Sequence, residues 1–397
     1  MSDKNVRILA PQGFHQKIVS RRNFLALGAG MGLVLVGCGS DDKGSSSETT
    51  AGNSGGSGPV KATGTVALYT WGDYHDPDLV KEADATIGVS MNVQYYASNE
   101  ELIAKLEATK GNSGFDLVVP TGPYLPQLIS KELLLKLDKS KIPNFANIDS
   151  AYLGRDWDPT NDYAVPRDWG TTGFIYDSSV IKRELLTWND YFDAAAKEAS
   201  GQTSILDTSD NVLGPYFWAN GINWNTTETA DLDAAEKFLV SEFAPHIKAF
   251  DSYPSTAIAE GAYSLSAAWN GDARQAYVRL EDAGRDPEPW KWVVGAPKTE
   301  LWMDHYAIPA DAKNPDGAYA WINWMLEPET AFRDLSYIGY NMTVKGTDEL
   351  AKKADLARLD MIFITSEQIK SMEGGIIGEA QNRKVEIYNK VKAAAGA

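Results

Sequence analysis

Cysteine occurs once in these 397 residues, at Cys38, and histidine four times. A single thiol excludes an intrachain disulfide framework, and His15, His75, His246 and His305 include no pair at zinc-ligand spacing. No Ser-His-Asp order and no phosphate loop in a strand-to-helix context is visible, so the chain carries no sign of a hydrolase triad or of a nucleotide cofactor. Long apolar runs are missing too. The segment Phe24 to Gly37 is about 14 residues, short of the roughly 20 that a spanning helix requires. Nothing repeats at a period of roughly 20 to 50 residues, which excludes a solenoid. Basic residues are scarce: 37 Lys and Arg stand against 54 Asp and Glu, a formal charge of −17. Such an acidic surface repels phosphate backbones, so nucleic acid is not expected as a partner, and it suits a cationic ligand.

The lone cysteine closes the run Leu35-Val36-Gly37-Cys38, behind Ser20-Arg21-Arg22-Asn23-Phe24-Leu25 and the short apolar segment. A basic region, a short apolar stretch and small residues at the cut are the parts of a cleaved export signal. Residues 1–37 therefore read as a signal peptide, twin-arginine-like at Arg21-Arg22, with a lipobox ending at Cys38. Acylation of Cys38 places the mature chain outside the cytoplasm, anchored to the cell membrane as a lipoprotein. Removing residues 1–37, with five basic and one acidic residue, leaves 32 against 53, a net charge of −21. Residues 38–63 are mostly Gly, Ser, Thr and acidic residues without apolar periodicity, the composition of a flexible tether.

From Gly64 the pattern changes. Thr65 to Trp71 reads as a strand, Asp78 to Ala85 as a helix, Val89 to Tyr96 as a strand, and Asn99 to Thr109 as a helix with Leu102, Ile103 and Leu106 on one face. Phe115 to Pro120 is a short buried strand stopped by proline. This order argues for an α/β fold with mostly parallel sheets flanked by helices, and about 330 residues suffice for two cores. In open α/β sheets, ligands sit beyond the carboxyl ends of the strands. There the chain places Trp71-Gly72-Asp73-Tyr74, Thr121-Gly122-Pro123-Tyr124 and, after the strand Ser264 to Trp269, Asn270-Gly271-Asp272. Trp302 and Asp304 share one side if their segment is extended; His305 beside Asp304 could tune that carboxylate's pKa, but reads as a surface histidine.

Taken with Ser98-Asn99-Glu100-Glu101-Leu102, Trp269-Asn270-Gly271, Trp302-Met303-Asp304 before Ala307-Ile308-Pro309, and Ile338-Gly339-Tyr340, these segments carry a resemblance. From about Val66 to Lys392 the chain resembles the spermidine/putrescine-binding proteins of bacterial polyamine ABC transporters, within the type II periplasmic binding proteins. The resemblance implies two α/β lobes with a ligand cleft between them, closing by hinge motion. Lobe 1 is expected at 64–172 plus 303–349, and lobe 2 at 173–302 plus 350–397. It further implies a monomeric receptor with no catalytic residue, cofactor or metal, which hands a small cationic ligand, a polyamine, to an ABC permease and its ATPase. By position, the aromatic walls of the slot are Trp71, Tyr74, Trp269, Trp302 and Tyr340. Asp304 matches the carboxylate that holds one amine, and Thr121 and Ser252 match hydroxyl positions.

The family's other two ligand carboxylates align with Thr208 and Asn211, both neutral. Asp207, Asp210, Asn211 itself and Glu373 are the further candidates for the second amine, although on an extended strand Asp207 and Asp210 would face away from their neighbours. Three alternatives stay open: a binding protein for another amine or a sugar, an extracytoplasmic hydrolase using paired carboxylates, and a sensor that signals to a partner other than a permease.

Overall fold

The computed structural model describes residues 60–397. Cys38, the expected signal peptide and most of the expected tether lie outside the described residues. Among the described residues no helix is long and apolar enough to cross a membrane.

The opening elements alternate as their patterns dictate. Strand β1 (Gly64–Thr70) leads to the helix Pro77–Ile87, β2 (Val89–Tyr95), the helix Asn99–Ala108 and β3 (Leu117–Val118). Asp76 caps the first helix by accepting from the N–H of Asp78 at 2.9 Å, and Pro77 fills the first turn, where a missing N–H is harmless. Gly88 ends that helix at φ 82°, and a Cβ there would stand 2.3 Å from the carbonyl of Ala62, so both conformation and space require glycine. Ser98 caps the second helix by accepting from the N–H of Glu101 at 3.1 Å, and Leu102, Ile103 and Leu106 are buried beneath it. β1 pairs in parallel with β2 on one side and β3 on the other.

The remaining strands are β4 (Ala164–Asp177), β5 (Thr203–Ile205), β6 (Ile247–Phe250), β7 (Leu265–Trp269), β8 (Trp290–Val293), β9 (Thr299–Ala307), β10 (Asn341–Met342) and β11 (Met372–Glu373). They line up as β2-β1-β3-β9-β4-β7-β5-β6, with β8 and β10 on β4 and β11 on β9. β4 decides the architecture. Its first half, to Thr171, runs antiparallel to β9, while from Thr172 it pairs antiparallel with β7 and β8. Beyond β7, strands β5 and β6 continue in parallel. One 14-residue strand thus joins two parallel sheets, each of which meets an antiparallel crossover strand at its inner edge.

Helices cover the two sheets separately and produce separate cores. Val66, Leu68, Leu117, Trp321 and Leu335 are buried in the first, and Phe174, Trp188, Trp218 and Phe243 in the second. Burying a side chain of this size stabilises the fold by roughly 1.5–3 kcal/mol. Trp269 packs against both cores. The expected division at residue 350 differs from this packing. Ala351 and Ile362 are buried with the first core, because the helix Thr347–Lys353 lies against the helix Pro328–Ile338. Met361 is buried with Ile175 and Tyr277 in a further cluster, and the chain returns to the second core through Ile387 and Val391 of the helix Gln381–Ala395.

Candidate functional site

Between the two cores lies a cleft of about 870 Å³, part of it open to solvent at its mouth. Trp71 and Tyr74 leave the carboxyl end of β1, and Thr121 follows β3. Trp269 ends β7, Ser252 follows β6, Tyr340 precedes β10, and Trp302 and Asp304 project from β9; all of them line the cleft. Gly170 of β4 lets Trp302 lie close on the backbone, since a Cβ there would stand 2.5 Å from the indole. Trp302 then meets Tyr340 edge to face with ring centroids 4.8 Å apart. The Trp71 indole is held by its N–H donating to the carbonyl of Val119 at 3.0 Å.

Of the further candidates, the structure brings Asp210 and Asn211 to the cleft. Asp207 is engaged elsewhere, accepting from the Tyr388 hydroxyl at 2.5 Å and the Lys392 ammonium at 2.8 Å. Glu373 pairs with Lys298 at 2.9 Å, away from the cleft lining. The expected extended strand here is instead a helix start: Thr208 caps the helix Ser209–Ala219, its hydroxyl accepting from the backbone N–H of Asn211 at 3.1 Å and from the Asn211 side-chain amide at 3.0 Å. Asp210 turns into the cleft from the first helical turn, and the buried Lys384 neutralises it at 3.2 Å. His305 is not a surface residue. Alternation turns it to the far side of β9, where it is fully buried and accepts from the Trp157 indole N–H at 3.1 Å.

Sequence reasoning passed over Glu300, Asp272 and Glu100, which also line the cleft. The signal for Glu300 was present: residues 300, 302 and 304 share one face of a strand. Asp272 accepts from the Tyr340 hydroxyl at 2.5 Å. Among the described residues lining the cleft, none is Lys, Arg or His.

The acidic groups sit in an unusual electrostatic setting. Asp304 is buried, with its Oδ2 accepting from the Tyr74 hydroxyl at 2.8 Å and its Oδ1 left without a hydrogen-bond partner. Burial pushes its carboxyl up to about 6, opposed by Thr121, Tyr74, Arg167 and Trp71. Behind it, Arg167 donates to Asp168 at 2.5 Å and to Asp334 at 2.7 Å, all three fully or almost fully buried. Burial raises Asp168 to about 7 and Asp334 to about 6 against the pull of that guanidinium. Burial likewise raises Asp272 to about 7 and Glu300 to about 8. The cleft therefore has more acid than it can keep ionised on its own, and a cation would relieve it.

Polar contacts bridge the two halves at the mouth. The Tyr253 hydroxyl donates to the carbonyl of Tyr96 at 3.2 Å and accepts from the N–H of Gly72 at 3.4 Å. Arg279 pairs with Asp73 at 3.3 Å, and the Gln381 amide donates to Glu100 at 3.2 Å.

The family profile of bacterial extracellular solute-binding proteins matches residues 78–358. The spermidine/putrescine-binding periplasmic protein of Escherichia coli is 31% identical over 335 residues, covering 83% of this chain and 92% of that one. A putrescine-binding periplasmic protein of Pseudomonas aeruginosa is 31% identical over 293 residues, 71% of this chain and 78% of its own. Among solved structures, the spermidine/putrescine ABC transporter substrate-binding protein of Streptococcus pneumoniae superposes with a TM-score of 0.67 at 25% identity, over 84% of this chain and all of that one. A lipoprotein of Treponema pallidum does so at 0.70 and 26%, over 82% and 99%. The expected architecture, two α/β lobes around a cleft, is thus the fold of these relatives. The chain belongs to the family of bacterial extracellular solute-binding proteins that includes the spermidine/putrescine-binding periplasmic proteins.

Proposed function

We propose that this chain is the extracytoplasmic receptor of an ABC importer and that its ligand is a polyamine of the putrescine/spermidine class. The observation that carries the reading is Oδ1 of Asp304, buried and without a hydrogen-bond partner in an aromatic cleft that lacks basic lining residues. Leaving a buried carboxylate oxygen unpaired costs about 1–3 kcal/mol or more. An ammonium brings three donors and the missing positive charge. The methylenes between two ammonium groups match the faces of Trp71, Trp269 and Trp302, and each cation–indole contact contributes about 0.5–2 kcal/mol.

A sugar would stack on the same indoles but would leave the carboxylates uncompensated, so the acidity of the cleft favours the amine. The relatives at 31% identity carry spermidine and putrescine in their names, which supports the same ligand class here. On this reading the protein performs no chemistry. Lobes divided near residues 172 and 303 close on the ligand, and the closed form is what the permease and its ATPase receive. An acyl chain on Cys38 keeps the receptor at the membrane, in keeping with the lipoprotein among its structural neighbours.

Calorimetric titration with putrescine, spermidine and glucose tests the ligand class. Micromolar or tighter binding of a polyamine supports the reading, and a preference for glucose overturns it. Labelling with a palmitate analogue tests the anchor, with incorporation expected in the parent and lost in Cys38→Ala; equal labelling of both refutes it.

A further inference from the structure

The polyamine reading accounts for one ammonium at Asp304 and leaves the other without a partner. The two positions where the resemblance expects carboxylates, Thr208 and Asn211, are occupied in capping a helix. Asp210 already has the Lys384 ammonium at 3.2 Å, and Oδ2 of Asp272 is taken by Tyr340 at 2.5 Å. Glu100 accepts from the Tyr124 hydroxyl at 2.9 Å and the Gln381 amide at 3.2 Å, and Asp73 at the mouth pairs with Arg279 at 3.3 Å. Glu300 remains. It stands on the same face of β9 as Trp302 and Asp304, and its Oε2 meets the Thr172 hydroxyl at 2.6 Å while Oε1 is left to the cleft.

We infer that Glu300 is the partner of the ligand's second ammonium, that it gives up its own proton when that cation arrives, and that its spacing from Asp304 selects a triamine over a short diamine. This rests on the polyamine reading above and supplies the residue that reading lacks.

The spacing follows from the strand. Four residues of strand at about 3.3 Å each separate the two Cα atoms by about 13 Å. Ammonium nitrogens seated inward of each carboxylate, at about 2.8 Å, then lie about 8–13 Å apart. An extended chain of roughly 1.5 Å bonds advances about 1.25 Å per bond. The five bonds between the nitrogens of putrescine therefore cover about 6 Å, and the nine between the terminal nitrogens of spermidine about 11 Å. The triamine reaches both carboxylates with its methylenes across Trp302. The diamine reaches one.

Thr172 bears on the proton of Glu300. Its hydroxyl has one proton but lies 2.6 Å from Glu300 and 3.1 Å from Oδ1 of Asn211. With the Asn211 amide oriented so that its nitrogen donates to Thr208 and its oxygen faces Thr172, both contacts are hydrogen bonds when Glu300 donates to Thr172 and Thr172 donates to Asn211, the arrangement of a protonated Glu300 in the empty cleft. The groups around it act accordingly. Burial, Asp210 on the facing helix and Asp304 along the strand favour the protonated form, and Thr172 of β4 and Lys384 of the C-terminal helix oppose them, leaving Glu300 at about 8. An arriving ammonium replaces that proton, which passes to solvent, and Thr172 turns its donor to the carboxylate.

The test is titration of the parent, Glu300→Gln and Glu300→Asp with spermidine and putrescine at pH 7, in two buffers of different ionisation heat. The parent should prefer spermidine and release about one proton per ligand. Glu300→Gln, which keeps a partner for Thr172, should lose about tenfold or more for spermidine, lose less than about threefold for putrescine, and release clearly less proton per ligand than the parent. Glu300→Asp should keep the proton release, which preserves the test if the amide variant folds poorly. Unchanged spermidine binding and proton release in Glu300→Gln would overturn the assignment while leaving the polyamine reading intact. A folded parent that binds neither amine would overturn both.

Discussion

The Tyr74 hydroxyl stands 2.8 Å from Asp304, on the cleft surface, and so ties the cleft-lining carboxylate to the charge network behind it. The same oxygen lies 3.1 Å from Asp168, which Arg167 binds together with Asp334. Three buried carboxylates thus share one guanidinium. A buried ion cluster with excess charge of one sign is held at the cost of pKa shifts, and an external cation on Asp304 restores the balance. Asp304→Asn removes the ligand's counter-charge but keeps the contact with Tyr74. It should weaken polyamine binding about tenfold or more with little change in melting temperature. Equal affinity in the variant would remove Asp304 from the site.

The acidic pocket also sets a pH dependence. Asp304 and Asp334 at about 6, Asp168 and Asp272 at about 7 and Glu300 at about 8 all titrate above their unfolded values near 4. Between those limits the folded, empty protein binds more protons than the unfolded chain, so its stability falls as pH rises. The melting temperature without ligand should drop from pH 5 to pH 8, and saturating polyamine should flatten the slope. A ligand-free melting temperature that rises across that window would contradict the assigned burial of these groups.

Trp269 touches both cores and closes the cleft from the second lobe. If its indole faces an ammonium or its methylenes, Trp269→Leu should reduce affinity about 3- to 30-fold, beyond the effect of lost area. The same variant should also melt lower, since a partly buried ring is truncated. Binding as tight as the parent would assign Trp269 to packing alone.

Tyr253 reaches across the mouth to Tyr96 and Gly72. Tyr253→Phe deletes both hydrogen bonds and leaves the ring. Stopped-flow release of a bound polyamine should accelerate by about three- to tenfold with little change in association rate. An unchanged release rate would show that these bridges do not hold the closed form.

Much of this site could be read in the sequence because strand-end aromatics and strand alternation are local. Strand ends mark Trp71, Tyr74 and Trp269, and alternation puts Trp302 and Asp304 on one face, while their assignment to a ligand slot comes from the family resemblance. Glu300 obeys the same alternation but was passed over, since a single acidic residue two places before a tryptophan has no distinguishing mark without its neighbours Thr172 and Asp210. Thr208 and Asn211 were legible as neutral, yet not as a helix cap, because the strand-to-helix boundary at Leu206 and Asp207 depends on the sheet that β5 joins. β4 was not legible at all. Its Pro166, Arg167, Asp168 and Gly170 argue against a buried strand, and only Asp334, far away in sequence, makes the buried charge tolerable. Long-range compensation of that kind leaves no local periodicity to read.

The most direct test of the account is calorimetric titration of the protein with putrescine, cadaverine, spermidine and spermine at pH 7. The account predicts micromolar or tighter binding that is strongest for spermidine and accompanied by proton release. No heat with any of the four, from a sample shown to be folded, would contradict it.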